Sequence, residues 1–167
     1  MSLQTIETAL LTCLTSGGVY AVAAFPSERM TRLTQVTTAV SLREAEAEET
    51  GMCQYLGETW NAVTAVLEVL YGKQVKLCFV LDIFSPRTGE SGAAGCRQMF
   101  DTIAELLLTS APAGLRIKRF SCGPVSFDKT VDAFRCRAEV HCTAYLCAAA
   151  ADGGALLDFE LRGVMQV

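Results

Sequence analysis

The histidine and cysteines near the end of the chain are the first residues whose types could support chemistry. His141 is the only histidine, and it directly precedes Cys142. Neighbouring side chains of a strand point to opposite faces, so this pair cannot share a metal ion or act as base and nucleophile. Cys136 shares a face with Cys142, but that face is apolar, and the chain contains no C-x-x-C pair. The sequence therefore predicts no metal site and no catalytic residue.

A run of glutamates offers oxygen ligands. Glu44, Glu46 and Glu48 alternate along a segment that reads as extended, so their carboxylates project on the same side. A straight strand spreads these groups in a row, whereas a hard cation needs oxygens that converge. Like charges placed this way repel one another, and we expect an edge that is solvated or faces the lumen of an assembly.

Two other patterns in the sequence could belong to functional sites. Gly89, Gly92 and Gly95 precede a helix, but they lack both the G-K-[ST] ending and the G-x-G-x-x-G order of phosphate-binding loops. No G-x-S-x-G element is present, so the sequence predicts no bound cofactor and no enzymatic activity. Arg135, Arg137 and Glu139 share one face of a strand, where they form either ion pairs between subunits or a solvated polar surface.

The composition restricts the class of protein. The 167 residues are predicted to form a single domain, residues 1–167. Hydrophobic residues make up 51% and charged residues 19%, which suggests apolar surface hidden in an assembly. The net charge of −4 and the absence of a basic patch argue against sequence-specific nucleic-acid binding. Without a secretion signal or a membrane-length apolar run, the eight cysteines are interpreted as reduced core residues of a cytoplasmic protein.

The elements that position these residues surround a strand from Val75 to Phe84. This strand is apolar on both faces, which is typical of a central strand covered on both sides. Pro86 ends it, and a helix with an apolar stripe follows and ends at Leu108. Together with a helix over residues 3–14, the pattern predicts an α+β fold, in which a mostly antiparallel β-sheet carries two α-helices packed on one face.

The remaining segments are predicted from alternation and turn residues. Residues 51–59 read as a loop or strand crossing, and residues 60–71 fit either a helix or a strand. We favour a hairpin of residues 63–71 with 75–84, turning at 71–74. The other predicted strands are 19–25, 35–48, 115–121, 134–146 and 156–165, with turns at Gly123–Pro124 and at Asp152–Gly154.

Several short motifs carry a family resemblance. They read YLGE at 55–58, VLYGK at 69–73 and LDIFSPR at 81–87, followed by GC at 95–96, FD at 100–101 and AE at 104–105. These letters, with the order of elements, resemble the tail terminator and tail-completion proteins of long-tailed, siphovirus-type bacteriophages, as encoded in prophages. The resemblance covers most of the chain and includes no catalytic residue.

The resemblance implies a structural protein that forms a ring, commonly a hexamer, which caps the tail tube and joins it to the head. Its implied partners are other copies of itself, the tail tube protein and the head–tail connector, with no membrane contact. It would assemble in the bacterial host cytoplasm and remain in the virion tail. DNA would pass through the lumen, where Glu44, Glu46 and Glu48 would repel phosphates. The alternatives are another head–tail connector, a baseplate or tail tube component, or a small cysteine-based metal-binding or redox protein.

Overall fold

A computed structural model describes residues 3–23, 33–47, 54–63, 65–87 and 92–150. These residues contain two helices and six strands. In chain order they are α1 (Leu3–Ser16), β1 (Ala21–Ala23), β2 (Thr37–Ala47), β3 (Gln54–Asn61), β4 (Val66–Pro86), α2 (Gly92–Thr109), β5 (Leu115–Asp128) and β6 (Ala133–Ala150).

The strands form one sheet in the order β1-β2-β4-β6-β5. β1 pairs with β2 in parallel, and the other pairs are antiparallel. β4 is central: β6 follows one of its edges, while β2 pairs with its second half and β3 with its first half on the other edge. The predicted central position of the 75–84 strand is thus confirmed.

Both helices pack on one face of this sheet. Ile6, Leu10 and Leu14 of α1 join Ile103 and Leu107 of α2 in one buried cluster. The cluster continues into alternate residues of the sheet, which are Val40, Val75, Leu77, Phe79, Leu81, Ile83, Cys136, Ala138, Val140, Cys142 and Ala144. The α+β prediction is confirmed, including the predominance of antiparallel pairing and the placement of the helices.

The end of α1 fixes how the two helices approach each other. Gly18 has φ +84°, a left-handed conformation that glycine adopts without strain, and the Val19 amide donates to the Leu14 carbonyl at 3.0 Å. A Cβ atom on Gly17 would lie 2.2 Å from a methyl carbon of Leu106, so α2 packs directly against this turn. The Gly17–Gly18 pair therefore ends α1 and leaves room for α2 to pack closely against the turn.

The predicted hairpin of residues 63–71 with 75–84 is wrong. β4 runs without a break from Val66 to Pro86, through the proposed turn at 71–74. Its actual partner in a hairpin is β3, which was predicted as a loop or crossing, and the turn lies at residues 62–65. The register of β4 against β6 extends continuously from Val69 to Pro86, so pairing with a distant strand overrides the local turn preference of Gly72.

The predicted turn at Gly123–Pro124 is also wrong. β5 continues through these residues, and the irregularity appears as a register shift between Cys122 and Val125. Pro124 cannot donate a hydrogen bond to the neighbouring strand. Because it lies in a bulge, the strand continues past it. The chain turns instead at residues 129–132, and β6 is longer than the predicted 134–146 strand.

Some predictions lie outside the described residues. These are Glu48, the turn at Asp152–Gly154 and the strand over 156–165. Within the described part of the chain, neither helix combines the length and hydrophobicity needed to span a membrane.

Candidate functional site on the open face of the sheet

The face of the sheet opposite the helices carries most of the ion pairs found among the described residues. We call it the charged face. Register and alternation assign to it Glu44, Glu46, Lys76, Cys78, Val80, Asp82, Phe84, Arg135, Arg137, Glu139 and His141. No helix among the described residues packs on this face.

A bulge in β2 brings the glutamates to this face. Leu42 lies opposite Phe79, but Glu44 lies opposite Cys78, because the register shifts between Leu42 and Glu44. Without that extra residue, Glu44 would share the helix-covered face with Leu42. Glu44 and Glu46 share the charged face and are both exposed, and the bulge, not alternation alone, decides which face they occupy.

Asp82 holds two arginines at one end of the charged face. Its Oδ1 accepts hydrogen bonds from Arg135 Nε at 3.2 Å and from Arg137 Nε at 3.1 Å, and Arg135 Nη2 lies 2.9 Å from the same oxygen. Asp128 Oδ2 lies 3.9 Å from Arg135 Nη1. The hydrogen bond and charge of Asp82 raise the pKa of Arg137, so this guanidinium stays protonated. The arginines predicted as an interface thus have partners within their own chain.

A second cluster lies at the centre of the charged face. Arg43 Nη1 donates to Glu139 Oε1, and Glu139 Oε2 lies 3.4 Å from His141 Nε2. Cys78 lies directly opposite His141 in the β4–β6 register, and its Sγ is 4.0 Å from the same His141 nitrogen. Sulfur, carboxylate oxygen and imidazole nitrogen therefore lie within 4.8 Å of one another.

The three members of this cluster differ in their access to solvent. Cys78 is buried at 4% exposure, whereas the side chains of His141 and Glu139 are 40% and 27% exposed. Burial raises the pKa of the Cys78 thiol, Glu139 and Glu44 raise it further, and Arg43 acts in the opposite direction. The cluster has a buried sulfur at its base and opens to solvent above.

Sequence reasoning placed some of these residues correctly and missed one relationship. His141 lies on the charged face and Cys142 in the helix-covered core, so the prediction that they point apart is confirmed. Cys78 was interpreted only as a core residue. Its proximity to His141 depends on the register between two strands separated by α2, and no local pattern specifies that register.

Of the other described cysteines, Cys96, Cys136 and Cys142 are buried core residues, whereas Cys13 is half-buried and Cys122 is exposed. Burial raises the pKa of Cys142 to about 12. Burial, followed by a hydrogen bond with Cys122, raises the pKa of Cys136 to about 12 as well. The Cys122 and Cys136 sulfurs lie 3.3 Å apart, with Cys122 exposed.

A second surface feature is the hairpin of β3 with the first half of β4, which we call the arm (residues 54–72). It carries four large exposed side chains: Tyr55 at 60%, Trp60 at 60%, Val63 at 94% and Leu67 at 51% exposure. Trp60 and Leu67 are register partners and share a face. The Asn61 side chain braces the turn by accepting from the Val63 amide at 2.9 Å. The apolar surface is therefore held on an ordered turn.

Comparisons with known proteins find likenesses among the solved structures. Among the solved structures that match is the sheath/tube terminator of the extracellular contractile injection system PVC, determined by cryo-EM in its extended state. The sequence identity is 10% and the TM-score 0.48; the match covers 100% of this chain and 62% of that chain. This chain thus spans about three fifths of the length of that one. No protein-family model matches the sequence, and no curated protein does.

Proposed function

We propose that this chain is a non-enzymatic structural protein that self-associates into a ring and acts as a tail terminator or tail-completion protein. The ring would cap a tail tube and join it to a head in a phage-type particle. The proposal follows the resemblance of the sequence motifs. The observation that carries self-association is the arm, with its exposed Tyr55, Trp60, Val63 and Leu67.

The arm is suited to a contact between subunits because it presents apolar side chains that no described part of the chain covers. Burying a large apolar side chain is worth about 1.5–3 kcal/mol, so Trp60 and Leu67 together could contribute several kcal/mol to association. Aromatic residues are enriched among the side chains that dominate interface energies. A second copy of the chain is the proposed occupant, because a ring repeats the same contact around its axis.

The charged face supplies a proposed lumen. Glu44 and Glu46 are exposed beside each other on this face, and Glu48 continues the series in the sequence. Acidic side chains along a channel would repel the phosphates of passing DNA and prevent adhesion. Arg135, Arg137 and Glu139 would then contact a neighbouring subunit at the rim. In the triple variant Glu44→Gln, Glu46→Gln, Glu48→Gln we expect intact rings that retain DNA; unchanged DNA passage would remove the lumen assignment.

Sedimentation velocity over a wide range of protein concentration tests self-association. We expect one discrete closed oligomer, which Trp60→Ala together with Val63→Ser weakens at least about tenfold. Leu108→Ala is the control, because Leu108 is an exposed apolar residue, at 73%, away from the arm. A strict monomer, both alone and mixed with isolated tail tubes, would reject the proposal.

Electron microscopy of the same samples distinguishes a tail terminator from the alternative structural roles. A terminator forms closed rings and stops tube growth, whereas a tube subunit forms polymers of unlimited length. A head–tail connector or baseplate component would form rings that bind no tube end. We expect closed rings that bind one end of isolated tubes, and open polymers would support the tube alternative.

A further inference from the structure

The cluster of Cys78, Glu139 and His141 contains the three kinds of ligand atom that zinc binds in proteins. These are a cysteine sulfur, an imidazole nitrogen and a carboxylate oxygen. The set is a poor match for magnesium or calcium, which prefer oxygens alone, and a good match for Zn²⁺ or Co²⁺. The ligand types alone therefore favour zinc-class ions over magnesium and calcium.

The distances are close to those of a tetrahedral site. Zinc bonds of the usual lengths place the nitrogen and oxygen ligands about 3.4 Å apart and the sulfur and nitrogen ligands about 3.6 Å apart. Glu139 Oε2 and His141 Nε2 are 3.4 Å apart, and Cys78 Sγ and His141 Nε2 are 4.0 Å apart. Cys78 Sγ and the Glu139 carboxylate oxygen lie within 4.8 Å of each other. An ion would thus require the sulfur and the carboxylate to approach by up to about 1 Å, which rotation of these two side chains can supply.

The backbone holds these ligands on rigid elements. Cys78 and His141 are direct register partners in the longest ladder of the sheet, and Glu139 is two residues from His141 on the same face. Both strands lie in the interior of the sheet, β4 between β2 and β6, and β6 between β4 and β5. Ligands held on paired strands need little reorganisation on binding.

Charged residues around the cluster orient its carboxylate and balance the charge of a bound ion. Arg43 bonds to Glu139 Oε1, which leaves Oε2 directed at the histidine, as partners of ligating carboxylates do in metal sites. Thiolate and carboxylate together carry the two negative charges that neutralise a divalent ion, while Arg43 and the nearby Glu44 offset each other. His141 and Glu139 are partly exposed, so the fourth position faces solvent.

We propose that Cys78, Glu139 and His141 bind one zinc-class divalent cation, with water or a partner group in the fourth position. The ion bonds to the thiolate sulfur as the thiol proton leaves to solvent. The site does not rest on the proposed role as a tail terminator: it shares Glu139 with the proposed subunit contact, but Cys78 and His141 belong to the site alone, and metal binding is measured whether or not the chain forms rings. It differs from the excluded pairing of His141 with Cys142, which lie on opposite faces.

Titration of chelator-treated full-length protein with Co²⁺ and Zn²⁺ tests the site. We expect one Co²⁺ per chain, with tetrahedral visible bands and a near-ultraviolet thiolate-to-cobalt band that Zn²⁺ displaces. His141→Gln is the primary variant, since this exposed side chain can be changed without disturbing the core, and Cys78→Ser is the second. Each should weaken Co²⁺ binding by more than about 100-fold, which exceeds the loss typical of a residue that only orients a metal ligand.

Two matched controls complete the experiment. Cys122→Ser removes an exposed cysteine outside the cluster, and Glu46→Gln removes a carboxylate from the same face of the sheet. Both should bind Co²⁺ like the unmodified chain, with circular dichroism confirming that every variant is folded. The proposal is overturned if the chain shows no thiolate-to-cobalt band, or if His141→Gln binds as tightly as the unmodified protein.

Discussion

The two faces of β4 reach similar burial by different means. Leu77, Phe79 and Leu81 are at most 2% exposed beneath the two helices. On the opposite face Cys78 and Val80 are at most 6% exposed, although no described helix covers them. The first face is covered by the two helices, whereas among the described residues the second is covered only by side chains of the sheet itself.

Long polar side chains do the covering on the charged face. The guanidinium of Arg135 lies 5.5 Å from the centre of the Phe84 ring, which is only 4% exposed, while its nitrogens bond to Asp82. An arginine can cover apolar surface with its stem and stacked plane and keep its charge paired. In the part of the chain that the structure describes, this strand is thus apolar on both faces with helices on one side only.

Truncation in the core should have the largest effect. Phe79→Ala is expected to lower the free energy of unfolding by about 3–5 kcal/mol, because the helices prevent the cavity from collapsing. Val80→Ala, the adjacent residue on the charged face, should cost about 1–2 kcal/mol, since the surrounding side chains can relax into the space. Urea unfolding measures both, and Val140→Ala makes the same change as Val80→Ala on the helix-covered face. Val140→Ala should cost more than Val80→Ala, and equal losses for the two valines would contradict the distinction between the faces.

Removal of the charge that organises the arginines should have an intermediate effect. Asp82→Asn is expected to cost about 1–3 kcal/mol, because two guanidiniums lose a charged acceptor on a partly buried side chain. Asp132→Asn is the control: its pair with Arg87 is exposed on both sides at 3.6 Å, so the change should cost less than about 1 kcal/mol. Thermal unfolding at low and high salt compares them, and equal losses would show that Asp82 does not organise this face.

Alkaline pH should destabilise the helix-covered face. The pKa of Cys142 is raised from 9.0 to about 12 by burial, so the folded state retains a proton that the unfolded chain releases. This stability is fully present below pH 9 and is lost as the pH rises toward 12. Stability should fall by up to about 1.4 kcal/mol per pH unit for this one proton. Cys142→Ala should show a shallower decline between pH 9 and 10.5, and an unchanged slope would argue against the prediction.

The sequence predicted the parts of the fold that depend on local patterns. The helix of residues 3–14, the central 75–84 strand and the alternation from 134 to 146 follow from periodicity, and the structure confirms them. It failed where distant pairing decides the outcome. The 71–74 turn was overridden by the ladder with β6, and the Gly123–Pro124 turn became a bulge.

The candidate site could be predicted only in part, for the same physical reason. Alternation placed His141 and Glu139 together on one exposed face. The proximity of Cys78 to His141 requires the β4–β6 register, and that of Arg43 to Glu139 requires the bulge in β2. Neither feature leaves a signature within a short window of sequence. The sequence also gives no sign that Cys78 belongs to a site, because its neighbours in the chain are the apolar residues of a central strand.

The smallest expected effect is a difference in rate between two cysteines of similar burial. Cys78 is 4% exposed and Cys142 is 2% exposed, and burial raises the pKa of both thiols. Labelling of Cys78 requires only movement of side chains on the charged face, whereas labelling of Cys142 requires the helices to leave the sheet. In metal-free native protein we expect a small thiol reagent to modify Cys78 about tenfold faster or more, as followed by peptide mass spectrometry. Cys122, which is exposed, should react before either and provides the reference rate. Equal rates for Cys78 and Cys142 would mean that the charged face opens only with the whole sheet, so that its polar cover is as rigid as a helix layer.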